Sequence, residues 1–435
     1  MNYKIKFVVF NVVILYTLFF LTNCKKDKNV EPHINFISPA VNSYFSVIDT
    51  IQVKCTVEDD KLIKTIYVAI IDENNVQVTP PMSIAINQRT AQIDVPYIIN
   101  DIHLGSGVYY IAVTANDEST HSKAFLKIYL NEIPLQLQKI YLFSKSANNA
   151  TKVFTIDTAN NISYQFFFND ILQSAVTNSY FQQLSLLGKN NGRLETFSTS
   201  SNSSLWEVTN INNVAYSYKG KAKLIDNYVY VGFGTSNIKG YSNNGFVIKT
   251  ADIGEDSFSP AEFLKFDDYI VAEIEPHNCQ SAKISIMNYL TGTFNKNHNI
   301  DFDIVDMFKL DDEKIIIWAN KNRIVRVFTL DIVYNILDEI LNFPVDKLSS
   351  VIKAADNYYI AAIGNDLYKY NSITKSVSIF KQNMPCQKLQ FEQLNNSIYV
   401  INGMNISVIH YPEALNINNI QHTDSIVDVN FLYNK

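Results

Sequence analysis

One short run of the chain mixes carboxylates, a histidine and a cysteine: Glu273-Ile274-Glu275-Pro276-His277-Asn278-Cys279. Successive side chains of an extended strand alternate between faces, so Glu273, Glu275, His277 and Cys279 would share one of them. All four types can bind a metal. Zinc, however, needs its ligands to converge within about 2.0–2.3 Å, whereas alternate side chains on a strand stand roughly 7 Å apart and diverge. Pro276 and Asn278 favour a turn instead. The segment therefore reads as a polar hairpin loop, with no metal expected. The remaining histidines, at 33, 103, 121, 298, 410 and 422, stand singly.

Other chemistry leaves no local mark. The chain has no G-x-S-x-G elbow, P-loop, dinucleotide fingerprint or H-E-x-x-H pair, which leaves serine hydrolysis, nucleotide binding and zinc proteolysis without support. No catalytic residue and no cofactor are assigned. The formal charge is −6, and about −8 once Lys4 and Lys6 are removed with the leader described next. A chain so charged lacks the basic surface that nucleic acid requires.

The elements that must carry any site begin after a leader. Lys4 and Lys6 precede an apolar stretch, Phe7–Leu21, which stops at Leu21-Thr22-Asn23-Cys24 and is followed by Lys25-Lys26-Asp27-Lys28. Positive start, apolar centre and abrupt polar stop describe a secretory signal over residues 1–23. The stop resembles a bacterial lipoprotein box, with Asn23 departing from the usual small residue. The resemblance implies that Cys24 is lipidated and that residues 24–32 are a tether. The CKKDK start, with the Asn-, Ile- and Lys-rich composition, resembles lipoproteins of the Bacteroidota. It implies a cell-envelope, outer-membrane location with the side undetermined. Beyond Cys24 only Cys55, Cys279 and Cys386 remain. That is no disulfide framework, so stability must come from buried area.

Residues 33–133 hold several strand-like runs, among them TIQVKCTVED from Thr50, KTIYVAIID from Lys64 and RTAQIDVPYII from Arg89. Period two with polar punctuation and no helical stripe predicts an all-β sandwich. The run GVYYIAVTAND from Gly107 resembles a strand of bacterial immunoglobulin-like and fibronectin-like modules. Asp59, Asp60 and Asp117 read as solvated loop carboxylates, since no spaced calcium loop is present.

From residue 135 a phrase repeats. Paired polar residues between apolar strands occur at Asn190-Asn191, Asp226-Asn227, Asp267-Asp268, Asp311-Asp312, Asp356-Asn357 and Asn395-Asn396, spaced 36, 41, 44, 45 and 39 residues apart. Asn and Asp suit tight turns because they tolerate positive φ. A seventh turn falls at Asn434, where the strand that should follow is missing. A candidate for it, Lys139–Phe143, stands at the other end of the region. A period in the forties without helices predicts a β-propeller over residues 135–435. The split repeat predicts seven blades, the first closed by the C-terminal strand. The region resembles WD40-like and surface-lipoprotein propellers in phase only. It lacks the Trp-Asp pairs, kelch glycine doublets, aspartate boxes and tryptophan docking motif of better-known kinds.

Anchor, spacer and ring resemble, in layout, the surface glycan-binding lipoproteins of Bacteroidota. The layout implies a binding or scaffold module for a glycan or an envelope protein. The alternative is a propeller-fold lyase or glycoside hydrolase. Loops between second and third strands are expected to be long in the first four blades, at Ser144–Thr151, Ser198–Ser204, Thr235–Gly245 and Glu275–Ser281. Such loops more often carry function. They predict a cleft walled by blades three and four, with Tyr241, Glu275, His277 and Asn278 as polar contacts and Trp318 as a stacking surface.

Overall fold

A computed structural model describes residues 30–189, 192–209, 220–277, 281–343 and 346–435. The chain divides into two compact units, with the boundary between Pro134 and Leu135. Cys24 and the leader lie outside the described residues.

The first unit is built on two long strands. β1 (His33–Ser38) and β2 (Ser43–Ser46) are short, β3 runs from Thr50 to Ile71 and β4 from Met82 to Ile98; β5 (Gly107–Asn116) and β6 (His121–Asn131) complete the set. β3 is one strand where the sequence pattern suggested two. Its register against β4 shifts between Glu58 and Thr65, where Asp59-Asp60-Lys61 interrupts the apolar alternation. The shift changes which side chains face inward: Ile51, Val53, Cys55 and Val57 before it, Ile66, Val68 and Ile70 after it. All seven join one core cluster. β4 follows the whole of β3, while β1 pairs with its first half and β5 with its second. Asp117 does not stay a free loop carboxylate, because the backbone amides of Ser119 and Thr120 donate to it. Those bonds outweigh its burial and draw its pKa down to about 2.

The second unit is a β-propeller. Among its described residues are seven four-stranded antiparallel sheets, six of them simple meanders. The first strands of the second to seventh sheets are Leu172–Asn178, Ala222–Ile225, Phe258–Phe266, Asp303–Lys309, Leu348–Ala355 and Lys388–Glu392. The first sheet takes its first strand from the far end of the chain: Ile426–Tyr433 pairs with Leu137–Lys145, from Ile426 opposite Ser144 to Tyr433 opposite Leu137. Asn434 and Gln136 seal this seam, each backbone amide reaching the other residue.

Every sheet packs on the next through an apolar cluster of its own. Phe143 and Leu186 join the first sheet to the second, and so on round to Ile401 and Val429, which join the seventh to the first. Seven such interfaces close a ring without a free sheet at either end, which is the propeller solution to the edge problem.

The turn residues behave as their chemistry requires. Asp226 and Asn227 sit at φ 49° and 62°, and Asp267 and Asn396 at 48° and 49°, the left-handed region these side chains tolerate best. Asp311 works differently, accepting from the amides of Glu313 and Lys314. In the second sheet the phase is corrected. Asn190 and Asn191 lie outside the described residues, and the strands flanking them, Gln183–Gly188 and Leu194–Ser198, are the second and third of that sheet. Its first turn is Ser179–Gln182, with Gln182 at φ 52°. No Asn/Asp pair marks it.

Candidate functional site in the central channel

The first strands of the sheets surround the axis of the ring, and each brings polar side chains to it. A cavity of about 590 Å³ is lined by residues of six different sheets, among them Ser174, Lys221, Asp306, Lys353, Lys388 and Asp428. Such strands splay apart around a ring, so their outward hydrogen-bonding groups need partners. Side chains supply them. Ser174 accepts from the amide of Ala222 at 2.7 Å, Ser350 accepts from that of Leu389 at 3.0 Å, and Thr177 donates to the carbonyl of Phe431 at 2.7 Å. Each bond crosses from one sheet to the next.

Two ion clusters stand in the same wall. Glu262, only 2% exposed, forms ion pairs with Lys221 at 2.5 Å and with Lys223, and Lys223 also reaches Asp306 at 3.3 Å. Burial works against the Lys223 ammonium, but Asp306 and Glu262 outweigh it and hold the group above the ordinary lysine range. Lys221 is raised by the same balance, Glu262 leading. Opposite, Asp428 accepts from Lys388 at 2.5 Å, from Gln390 at 2.8 Å and from the amide of Val429 at 2.8 Å. Charges this dry persist only when paired and hydrogen-bonded.

A third acidic group lies behind the wall. Glu273 is buried in the second strand of the fourth sheet and accepts from the amide of Ile304 at 2.9 Å. Burial pushes its pKa up to about 8, against the pull of that amide. Asp303 and Ile304, beside it, line a separate cavity of about 520 Å³.

The residues singled out from the sequence do not assemble around this channel. Glu275 is exposed at the end of Tyr269–Pro276. His277 follows it, half-buried, with Nε2 2.5 Å from the hydroxyl of Ser259. Ser259 is fully buried, so a substrate could not reach this Ser–His pair, and it acts as a fastening between strands. Asn278 and Cys279 lie outside the described residues. Tyr241 is not a loop residue: it ends the third strand of its sheet, Asn237–Tyr241, and is 3% exposed, stacked on Trp206. It pairs with Val229, next to the Asp226-Asn227 turn. In a meander that is the opposite end of the sheet from the second-to-third loops, where His277 stands. Trp318 is fully buried in the cluster between the fifth and sixth sheets, against Tyr359, Tyr370 and Phe343. It is core and presents no stacking surface.

The expected row of four long loops is also revised. Ser198–Ser204 connects third and fourth strands, and Thr235–Gly245 contains a strand of its own. The second-to-third connections after Leu137–Lys145 and Tyr269–Pro276 are the longer of those expected, at 146–150 and 277–282. The channel residues carry no local mark, because each is one polar residue in an apolar strand whose partner sits on a neighbouring sheet, in most cases about forty positions away. Among the described residues no group of three His, Cys, Asp or Glu side chains is placed to hold a metal.

No family model matches the chain, and no curated protein matches it. Solved structures do show a likeness. The WD40 β-propeller domain of Doa1 is 12% identical, with a TM-score of 0.45 over 60% of this chain and 85% of that one. Apo AztD from Citrobacter koseri is 7% identical, with a TM-score of 0.47 over 68% and 98%. A quinonprotein alcohol dehydrogenase-like protein from Bacteroides thetaiotaomicron is 10% identical, with a TM-score of 0.47 over 92% and 99%. The fold assignment rests on the strand order and ring closure described above.

Proposed function

We propose that the protein is a lipoprotein of the cell envelope that serves as a binding or scaffold module. Cys24 carries the lipid and holds the protein to the outer membrane, residues 24–32 form the tether, and residues 33–133 form an immunoglobulin-like spacer. The propeller, with seven blades over residues 135–435, presents the recognition site to a glycan or a protein partner. The observation that carries this reading is the channel: a cavity of about 590 Å³ whose walls are set by cross-sheet hydrogen bonds and ion pairs. A concave site with a few fixed polar groups is what a small ligand or chain end requires. What supports the immunoglobulin-like reading is an all-β first unit of six strands around a single core, with the long β3 pairing β4 throughout, β1 at its start and β5 at its end.

The test is a screen of the mature protein against polysaccharides, scored for binding and for product release together. Binding without release supports a module. Release of shortened or unsaturated products would replace it with the second reading, a propeller-fold lyase or glycoside hydrolase. Glu273 does not favour that alternative: burial raises its pKa to about 8, but the side chain is 4% exposed and lines neither cavity. For the anchor, wild-type protein should sediment with membranes and Cys24→Ala should not. Wholly soluble wild-type protein would refute the lipid attachment.

A further inference from the structure

The channel lysines are unevenly matched. Lys221, Lys223 and Lys388 each meet a carboxylate. Lys353, half-buried in the first strand of the sixth sheet and lining the same cavity, meets none among the described residues. Its one hydrogen bond is a long one, 3.5 Å to the carbonyl of Lys309. The two carboxylates that line the cavity, Asp306 and Asp428, are already taken by Lys223 and Lys388. A cation in a partly enclosed cavity, with every local acid occupied, attracts an anion that comes from outside.

The rest of the wall indicates what kind of anion. Phe308 and Phe391 are half-buried and line the cavity while packing on Tyr359 and Tyr411, apolar residues of the sort that pack on the C–H faces of a sugar. The Ser350 hydroxyl accepts from Leu389, which leaves its proton to donate, and Gln393 lines the cavity beside it. Aromatic faces next to donors suit a hydroxylated ring better than a bare ion. A site of several hundred cubic ångströms takes a ligand of drug-like size, so a chain end fits where a folded protein does not.

We propose that the channel takes the acidic end of a saccharide, a uronate or a sulfated sugar, with Lys353 as the charge anchor. The proposal rests on the binding-module reading above and deepens it. The experiment titrates the mature full chain with tri-galacturonate, its methyl ester, a sulfated disaccharide and inorganic sulfate, for wild type, Lys353→Met and Lys353→Arg. The expected result is binding of at least one acidic sugar, at least tenfold tighter than the ester. Lys353→Met should lose about tenfold for the acid and nothing for the ester, Lys353→Arg should retain most of the affinity, and both variants should melt like wild type. Equal binding of acid and ester, no effect of Lys353→Met, or binding of neutral glycans alone would overturn the inference while leaving a binding module standing. Competition by inorganic sulfate at the oligosaccharide's own concentration would overturn the saccharide part. Product release without retained binding would overturn the underlying reading as well.

Discussion

The two units use charge differently. In the first, Lys54 pairs with Asp94 and Lys64 with Glu118, all four side chains being more than a third exposed. In the second, Glu262 and Asp428 are nearly dry and each holds a lysine toward the axis of a ring. The difference follows from architecture. The first unit, whose six strands share one apolar core, can place its ions outside. A ring of sheets keeps exposed pairs too, Lys309 with Asp267 among them, but its first strands diverge around an axis and leave backbone groups that polar side chains must satisfy. Apolar packing between sheets holds the ring together, and polar packing along the axis shapes its channel.

The severest way to break that contrast is to open the ring. Removing Ser425–Lys435 takes away the first strand of the first sheet and bares Leu137–Lys145 along a full edge. Exposed edges aggregate. The truncated protein is expected to be insoluble or to lose the cooperative thermal transition of the second unit, while residues 30–134 keep theirs. A melt indistinguishable from wild type would refute the role of the seam.

Next in size is the apolar side of the comparison. Trp318→Ala should cost about 3–5 kcal/mol in urea unfolding. Trp318→Phe should cost much less, since Nε1 of Trp318 has no hydrogen-bond partner to lose. Substantial loss of ligand with unchanged stability would return Trp318 to the binding surface.

On the polar side, Glu262→Gln leaves Lys221 and Lys223 with Asp306 as their remaining nearby acid, and about 3 kcal/mol of destabilisation is expected. Glu273→Gln tests a buried acid with the opposite sign. Its folded pKa of about 8 lies above the unfolded value near 4.5, so the folded state binds the extra proton between those values. Its contribution is therefore most favourable below about pH 4.5 and is lost as pH rises to 8. From pH 6 to 7 wild type should lose up to about 1.4 kcal/mol relative to the glutamine variant. Parallel stability curves for the two proteins would show that Glu273 titrates as an ordinary carboxyl. The smallest effect belongs to the first unit: Lys54→Ala should change stability by less than about 1 kcal/mol, because its pair with Asp94 is exposed.

Much of this organisation was legible in the chain. The Asp/Asn turns from 226 to 396 marked five sheets in phase, and the orphan strand at Lys139–Phe143 pointed to the split first sheet. The second sheet was misphased because its real turn, Ser179–Gln182, carries no such pair while an Asn pair follows one hairpin later. A second repeating signal went unused. Asp157, Asn288 and Asn371 each accept from the amides of a third-to-fourth turn, and their spacing would have kept the count in register. The site was less legible still. Tyr241, His277 and Trp318 drew attention as large or ligating types near supposed loops, and strand alternation buries two of them. Lys353 and Asp428 look like the solvent face of any strand, and only ring closure brings them to one cavity.

The seam between Ile426–Tyr433 and Leu137–Lys145 has a consequence in time. Contacts of the first unit are complete once residue 134 has been made, so that unit can settle while synthesis continues. The first sheet of the ring waits for a strand made almost a whole unit later, a separation that slows folding. Until then six sheets stand in an unclosed arc with both ends sticky, the kind of intermediate on which holding chaperones act. The last strand is thus the step that commits the ring, and the cavity on its axis exists only after that moment.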